Sequence, residues 1–370
     1  MSKLKVALVG CGYWGQNLLR NFSELEEAEV VMACDSDSRA LARSGRRFPS
    51  LEVTQNFEDV VNDARVEAVV LATPVSTHYP FAYKALQAGK HVLVEKPLAR
   101  SAREVEDLIQ LAERMGKILM VDHTFLYTGA VRRMKTLVDS GEIGDLLYFD
   151  SVRISLGLVQ SDINVLWDLG PHDLSIMDFL CKREPVSIAA IGVNHLETPY
   201  QDLAYVTVGF EDNFIAHFHL NWLAPVKVRR TLVGGSKKMI VYDDMEASEK
   251  IRIYDKGITQ NHDPERRERL LTGYRNGDML APNLEATEAL RLMAREFVTS
   301  IAEKRAPLTD GHAGLRIVRL LEAAQDSMEH DGQVVYLKEP ASSRPMASVL
   351  PEVELEYAGG SHAGILPNRS

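Results

Sequence analysis

The chain has 370 residues, 45% hydrophobic and 25% charged, with a formal net charge of -10. That length suggests two domains of ordinary globular make-up, and an acidic balance without a long basic run argues against a nucleic-acid partner. The apolar part of MSKLKVALVG is too short for a signal peptide and no stretch approaches the ~18 apolar residues of a membrane span, while Cys11, Cys34 and Cys181 are too scattered for a disulfide framework or a zinc site.

Lys5 to Val9 reads as a buried strand that runs into Gly10-Cys11-Gly12-Tyr13-Trp14-Gly15, then a helix to about Phe22. A second strand, Glu29 to Cys34, ends on Asp35. In a G-x-G-x-x-G between strand and helix, Gly10 makes the tight turn, Gly12 admits a pyrophosphate and Gly15 lets helix pack on strand. Tyr13 and Trp14 open the helix whose N-terminus faces the phosphates. Asp35 is placed to bond the adenosine ribose hydroxyls; its charge repels a 2′-phosphate, so NAD is expected over NADP. Arg39 reads as the exposed face of the next helix, and Cys11 as a small packing residue.

Strands at Val53, Ala68 to Ala72, His91 to Val94 and Ile118 to Val121 alternate with helices at Phe57 to Asn62, Tyr79 to Ala88 and Ser101 to Met115. This grammar predicts a doubly wound parallel sheet over residues 1–122. The strand ends carry Thr73, Pro74 and His78, then Glu95, Lys96 and Pro97. All are expected at the ligand-binding edge, with Thr73, Pro74 and His78 lining the cofactor and Glu95 meeting the nicotinamide end or pinning Lys96.

From His123 the pattern changes. Helices are predicted at Ala130 to Ser140 and Trp167 to Cys181, and a long alternating strand at Asp145 to Gly157, with Leu147, Phe149, Ser151, Arg153 and Ser155 on one face. Strands then follow directly: Val186 to Val193, Leu203 to Phe210, Phe214 to Asn221, Lys227 to Val233, Lys238 to Tyr242 and Lys250 to Tyr254. This implies a large, mainly antiparallel sheet. Its open face suggests cover by a second subunit in a homodimer or homotetramer. Helices at Asn283 to Ala302 and Gly311 to Glu329 and a strand at Gln333 to Leu337 complete a second, α+β domain over 123–338. Residues 339–370 read as a tail.

Trp167-Asp168-Leu169-Gly170-Pro171-His172-Asp173 is the second dense stretch. Asp168 and His172 are four apart and share a helix face. An acid there is expected to orient the imidazole and raise its pKa, as suits an acid/base catalyst. Pro171 suits a first helical turn, which places the pair at a helix start.

The nucleotide loop, EKP after the fifth strand and D-x-x-x-H in the second domain together resemble the Gfo/Idh/MocA oxidoreductase family over roughly Leu4 to Lys338. The resemblance implies a Rossmann domain, an oligomerising C-terminal α/β domain, and NAD(P)-dependent oxidation or reduction of a sugar or cyclitol carbon. It implies Lys96, Asp168 and His172 as the catalytic set. GYWGQNLLRNF, ATPVSTHYPFA, HTFLYTGAVRRM and LWDLGPHDLSIMDF are similar to the family's nucleotide-sugar branch, of the UDP-N-acetylglucosamine or UDP-glucuronate type, which implies a ring hydroxyl, at C3, as the reacting group. An inositol or free-sugar dehydrogenase is the neighbouring reading, and a non-catalytic NAD(H) sensor the more distant one. Such a chain is expected in the cytoplasm.

For substrate, His123, Phe125, Tyr127, Arg153 and Asn164 are the candidates near the catalytic edge, with Arg153 placed for an anionic group. Lys227, Arg229 and Arg230 are candidates for a pyrophosphate. His217 and His219 alternate like a metal pair, but without a third and fourth ligand they read as core or interface residues, and no metal is expected.

Overall fold

The computed structural model describes residues 3–338 except 158, 161 and 260–272. The expected tail, 339–370, lies outside the described residues. The first half winds as β1 (Leu4–Val9), α1 (Tyr13–Ser23), β2 (Ala28–Cys34), α2 (Ser38–Arg47), β3 (Glu52–Thr54), α3 (Phe57–Asn62), β4 (Ala68–Leu71), α4 (His78–Gln87), β5 (His91–Glu95), α5 (Ala102–Met115) and β6 (Leu119–Asp122). All six strands are parallel, in the order β3-β2-β1-β4-β5-β6. Every residue of β4 is buried, as a strand covered by helices on both faces requires. Strand order reverses between β1 and β4, which opens a crevice at their carboxyl ends.

Local signals set the helix ends. Ser101 caps α5 by accepting from Glu104 N at 3.2 Å, and the Glu104 carboxylate accepts from Arg100 N at 3.0 Å, one residue before the reciprocal partner of a standard capping box. Gly116 closes the helix in the left-handed region, φ 62°.

The chain then builds α6 (Gly129–Asp139), β7 (Leu146–Ile154), α7 (Val165–Cys181), β8 (Pro185–Val193), β9 (Leu203–Phe210), β10 (Ile215–Asn221), β11 (Val228–Gly235), β12 (Met239–Asp243), β13 (Ile251–Tyr254), β14 (Gly257–Thr259), β15 (Gly273–Arg275), β16 (Met279–Leu280), α8 (Ala289–Glu303), α9 (Gly311–Glu329) and β17 (Val335–Tyr336). Nine strands form one sheet, β16-β13-β12-β11-β7-β10-β9-β8-β17, in which β7 and β10 are parallel and the other pairs antiparallel. Helices α7 and α9 cover one face through β10 and β8. The other face leaves Ile191, Tyr205 and Ile215 exposed. His217 and His219 both stack on Tyr205, and His217 Nδ1 meets Thr207 Oγ1 at 3.0 Å.

Three expectations shift. Leu147 does not share the buried face of Phe149, Ser151 and Arg153. The β7–β11 register slips between Gly234 and Gly235, so Leu146 takes the buried position and Leu147 is half exposed. Helix α8 begins at Ala289 rather than Asn283, because the preceding segment runs against Gly129, where an added Cβ would meet Glu285 O at 2.4 Å. Helix α7 begins at Val165, capped by Asn164, so Pro171 lies inside it rather than in its first turn. Proline there removes one main-chain donor from the ladder.

Helices α8 and α9 return to the first half: α9 packs on α5 and β6, and α8 on α1.

Candidate active site

At the β1 edge, Gly10 sits at φ 92°, and a Cβ there would meet Ala72 O at 2.4 Å. A Cβ on Gly15 would meet Gly10 O at 1.8 Å, whereas one on Gly12 meets nothing within 4 Å. The loop is therefore closed on its protein side and open over Gly12. Gly12 caps α1 without a side-chain bond, which leaves main-chain donors for an anion. Tyr13 and Trp14 flank that opening, exposed and edge to face at 5.7 Å. Asp35 is held at the end of β2, accepting from Cys11 N at 2.5 Å and Asp37 N at 2.8 Å. A cavity of about 480 Å³ is lined by Gly10, Gly12, Asp35, Thr73 and Pro74, among others. These residues fit a dinucleotide. Arg39 points out to solvent beside Asp37.

His78 does not line that cavity. It is buried, and its two ring nitrogens meet the carbonyls of Pro97 and Thr73, each at 2.8 Å. The ring braces the β4 turn against the residues after β5. Burial pushes its pKa down.

Lys96 reaches from the end of β5 across the crevice to α7. Its Nζ donates to Asp168 O at 2.7 Å and Asp168 Oδ1 at 3.0 Å, and the peptide to Pro97 is cis. Asp168 Oδ2 accepts from Trp222 Nε1 at 3.1 Å, so the carboxylate is fixed from two sides and does not hold His172. No motif announced Trp222: it follows β10, 54 residues away. His172 stands one turn further along α7, packed edge to face on Phe125 at 5.1 Å, with Nδ1 buried and unpartnered among the described residues.

The expected rise in the His172 pKa is reversed. Burial, then the positive charges of Lys96, Arg153 and Arg229, hold it well below the ordinary histidine value. The imidazole is neutral at neutral pH and able to accept a proton.

Glu95 pairs in register with Asp122 on β6. Both carboxyls are buried, and like charges on neighbouring strands of a dry interior oppose each other's ionisation. Burial and the Asp122 charge lift Glu95 well above the usual carboxylate range. Glu95 Oε1, Asp122 Oδ2 and both His123 ring nitrogens are buried without partners among the described residues. These groups and His172 all lie close enough to Lys96 to feel its charge, and native interiors rarely leave such atoms without a ligand or water. Burial, then Lys96, lowers the His123 pKa to about 3.

Three expected substrate residues are occupied elsewhere. Tyr127 is fully buried with its hydroxyl 3.1 Å from Thr309 Oγ1. Asn164 caps α7 and donates to Gln201 and Gln325 at 3.0 and 2.7 Å. Arg153 is closed in a buried two-pronged pair with Asp173, at 2.7 and 2.9 Å, and stacks on Phe125 at 4.5 Å. Arg230 pairs with Asp243.

Residues 4–123 match the model of an oxidoreductase family with an NAD-binding Rossmann fold, and residues 131–241 match the GFO/IDH/MocA C-terminal domain. UDP-N-acetylglucosamine 3-dehydrogenase of Acidithiobacillus ferrooxidans is 25% identical over 322 residues, covering 86% of this chain and 95% of that one. Its solved structure has a TM-score of 0.75 over 89% of this chain and 99% of that one, at 23% identity. The NADP(+)-type scyllo-inositol 2-dehydrogenase of Bacillus subtilis is 23% identical, covering 88% and 93%. Levoglucosan dehydrogenase in complex with NADH and levoglucosan shares the fold, with a TM-score of 0.78, 18% identity and coverage of 91% and 100%. Among the described residues no helix is long and apolar enough to cross a membrane. With a matching nucleotide-binding half, a matching C-terminal half and relatives aligned along nearly their whole length, this chain belongs to the Gfo/Idh/MocA family of oxidoreductases.

Proposed function

We propose that this protein is an NAD-dependent dehydrogenase acting on a secondary ring hydroxyl, at C3, of a nucleotide sugar. The observation that carries the reading is the bridge from Lys96 to Asp168 across the crevice, with His172 one turn beyond it. Residues 1–122 hold the dinucleotide and 123–338 supply the substrate wall. Gly10, Gly12, Tyr13, Trp14, Gly15, Asp35, Thr73 and Pro74 hold the cofactor, and the Asp35 carboxylate favours NAD over NADP. A bound nicotinamide would supply the hydride acceptor for the reacting carbon.

Lys96, Asp168 and His172 do the proton work. His172 takes the hydroxyl proton, for which its neutral imidazole is suited. Lys96 donates a hydrogen bond to the same oxygen and stabilises its developing charge. Asp168, held by Trp222, keeps the ammonium aimed across the crevice. Glu95 sits at the nicotinamide end, its carboxyl lifted above the usual range by burial and the Asp122 charge. His123 and Phe125 shape the sugar pocket. The exposed face of the nine-stranded sheet is the surface through which copies of the chain associate.

The similarity to the Acidithiobacillus enzyme supports the nucleotide sugar, while that to the Bacillus enzyme supports a cyclitol. NADH absorbance over a panel of UDP-sugars, free sugars and inositols separates them. Turnover of UDP-N-acetylhexosamines is expected. Turnover of inositols alone would sink the nucleotide-sugar reading, and no turnover with any alcohol would leave a sensor.

A further inference from the structure

Arg153 and Arg229 are direct partners in the antiparallel β7–β11 register, so they project from the same face of the sheet. That face also carries Ser151, Thr231, Phe149 and Val233, all buried beneath the helices. Like charges directly opposite each other destabilise a sheet. The pair is therefore costly unless each guanidinium finds an anion.

Arg153 has found one. Its fork is filled by Asp173 of α7 and is nearly sealed from solvent. Arg229 has not. It makes one hydrogen bond, from Nη1 to Asp244 Oδ2 at 3.2 Å, and its side chain is 34% exposed. A guanidinium has five donors, so four N–H groups have no hydrogen-bond partner among the described residues. Asp244 is shared: Lys250 Nζ reaches its Oδ1 at 3.2 Å and the Tyr242 hydroxyl reaches the same oxygen at 3.1 Å. Two cations thus lean on one carboxylate, and one positive charge is left over.

The Arg229 guanidinium lies near the reaction site. Arg153 and Arg229 lie over the ring of Phe125, at 4.5 and 6.0 Å from its centroid, and His172 packs on that ring at 5.1 Å. Arg229 is among the charges that depress the His172 pKa.

We infer that Arg229 is the anion-reading residue of the substrate pocket: its free fork takes a carboxylate of a sugar acid or a phosphoryl oxygen of a sugar phosphate, across Phe125 from His172. Planar, two-pronged recognition of such groups is what a guanidinium does better than an ammonium. The inference rests on the sugar-dehydrogenase reading for the position of the anion on the substrate. It selects Arg229 from the four basic side chains, Arg153, Lys227, Arg229 and Arg230, that the sequence left open.

The test uses the full chain with NAD and the variants Arg229→Gln, Arg229→Lys and Arg230→Gln, each checked by thermal melting. For each, kcat/KM is measured with UDP-N-acetylglucosamine, UDP-N-acetylglucosaminuronate and an uncharged sugar or cyclitol. The ratio of charged to uncharged substrate is expected to fall at least tenfold in Arg229→Gln and partly in Arg229→Lys, and to stay at the wild-type value in Arg230→Gln, whose side chain is on the other face. A larger loss with the uronate than with the plain nucleotide sugar identifies a carboxylate, and equal losses identify the phosphoryl oxygens. An unchanged ratio in Arg229→Gln overturns the inference. If the wild type oxidises only uncharged alcohols, the nucleotide-sugar reading fails, and the anion site is read instead from competitive inhibition by glucuronate and by UDP. Inhibition lost in Arg229→Gln supports the site; no inhibition of the wild type by either, or inhibition kept in the variant, overturns it. Should Arg229→Gln melt before assay, Arg229→Lys carries the same comparison, and a wild-type ratio there overturns the two-pronged contact.

Discussion

Lys96 Nζ lies 3.0 Å from Asp168 Oδ1 and 2.7 Å from the Asp168 carbonyl, joining the residue after β5 to the first turn of α7. One side chain thereby ties the nucleotide edge of the parallel sheet to the helix that carries His172. Lys96→Met removes the donor to the reacting oxygen. The expected outcome is a fall in kcat of about 10²–10³-fold, the scale for losing one such donor. NADH binding, followed by fluorescence, is expected to persist, because the phosphate loop and Asp35 are untouched.

His172→Asn tests the base. A loss of about 10²–10⁴-fold in alcohol oxidation is expected. In the wild type, oxidation needs the neutral imidazole, so the rate falls as pH drops through the His172 pKa. Burial, Lys96, Arg153 and Arg229 place that inflection well below the ordinary histidine value in the free enzyme. The kcat/KM profile against pH reads it, and an inflection above pH 7 would contradict the assignment.

Gly12 and Gly15 are three residues apart and are expected to respond in opposite ways to alanine. Gly15→Ala drives a methyl into the Gly10 carbonyl and should destabilise the fold, which thermal melting reads. Gly12→Ala meets nothing within 4 Å and should melt near the wild type. Its methyl stands where main-chain donors meet the phosphates, so NADH affinity is expected to fall at least tenfold, or about 1.4 kcal/mol.

The Arg153–Asp173 pair is buried on both sides. Removing one partner leaves an uncompensated charge, so Arg153→Met is expected to cost about 3–5 kcal/mol in urea unfolding. Arg153→Met with Asp173→Leu should cost much less than the sum of the two single changes, because the orphaned charge is gone.

His91 provides a stability readout in pH. Its Nδ1 accepts from Ile118 N at 2.9 Å, and burial, then the Lys117 charge, lowers its pKa to about 4. The unfolded chain takes up this proton near pH 6.5 and the folded chain only near 4. The stabilisation is therefore complete above about pH 6.5 and lost as pH falls toward 4. His91→Gln, which cannot be protonated there, should flatten the fall in melting temperature over that window.

Much of the first half was legible in the sequence. Its elements are short and consecutive and carry their own punctuation: Gly10, Gly12 and Gly15 in the loop, Ser101 and Gly116 at the ends of α5. In a doubly wound sheet each strand's place follows from handedness and alternation, so local pattern was enough to put Asp35, Thr73 and Lys96 at one edge. The four-residue spacing of Asp168 and His172 likewise put both on one helix.

What those side chains touch was decided by the tertiary structure. A period of 3.6 or 2 tells which face a residue occupies, not what stands opposite it. Asp168 reads as the partner of His172 by spacing, yet Lys96 and Trp222, from two other elements, claim its oxygens. Arg153 reads as free for substrate, yet Asp173 fills its fork and leaves the unmet charge on Arg229, its register partner on β11. Glu95 and Asp122 are 27 positions apart and become neighbouring buried carboxyls only because β5 and β6 lie in register. Desolvation then set the direction of the His172 pKa, since burial among cations outweighs an acid one turn away that is already engaged. Composition and spacing determined the fold and which strand and helix ends meet at the crevice; long-range register, packing and dehydration decided which side chains line it, their charge and their contacts.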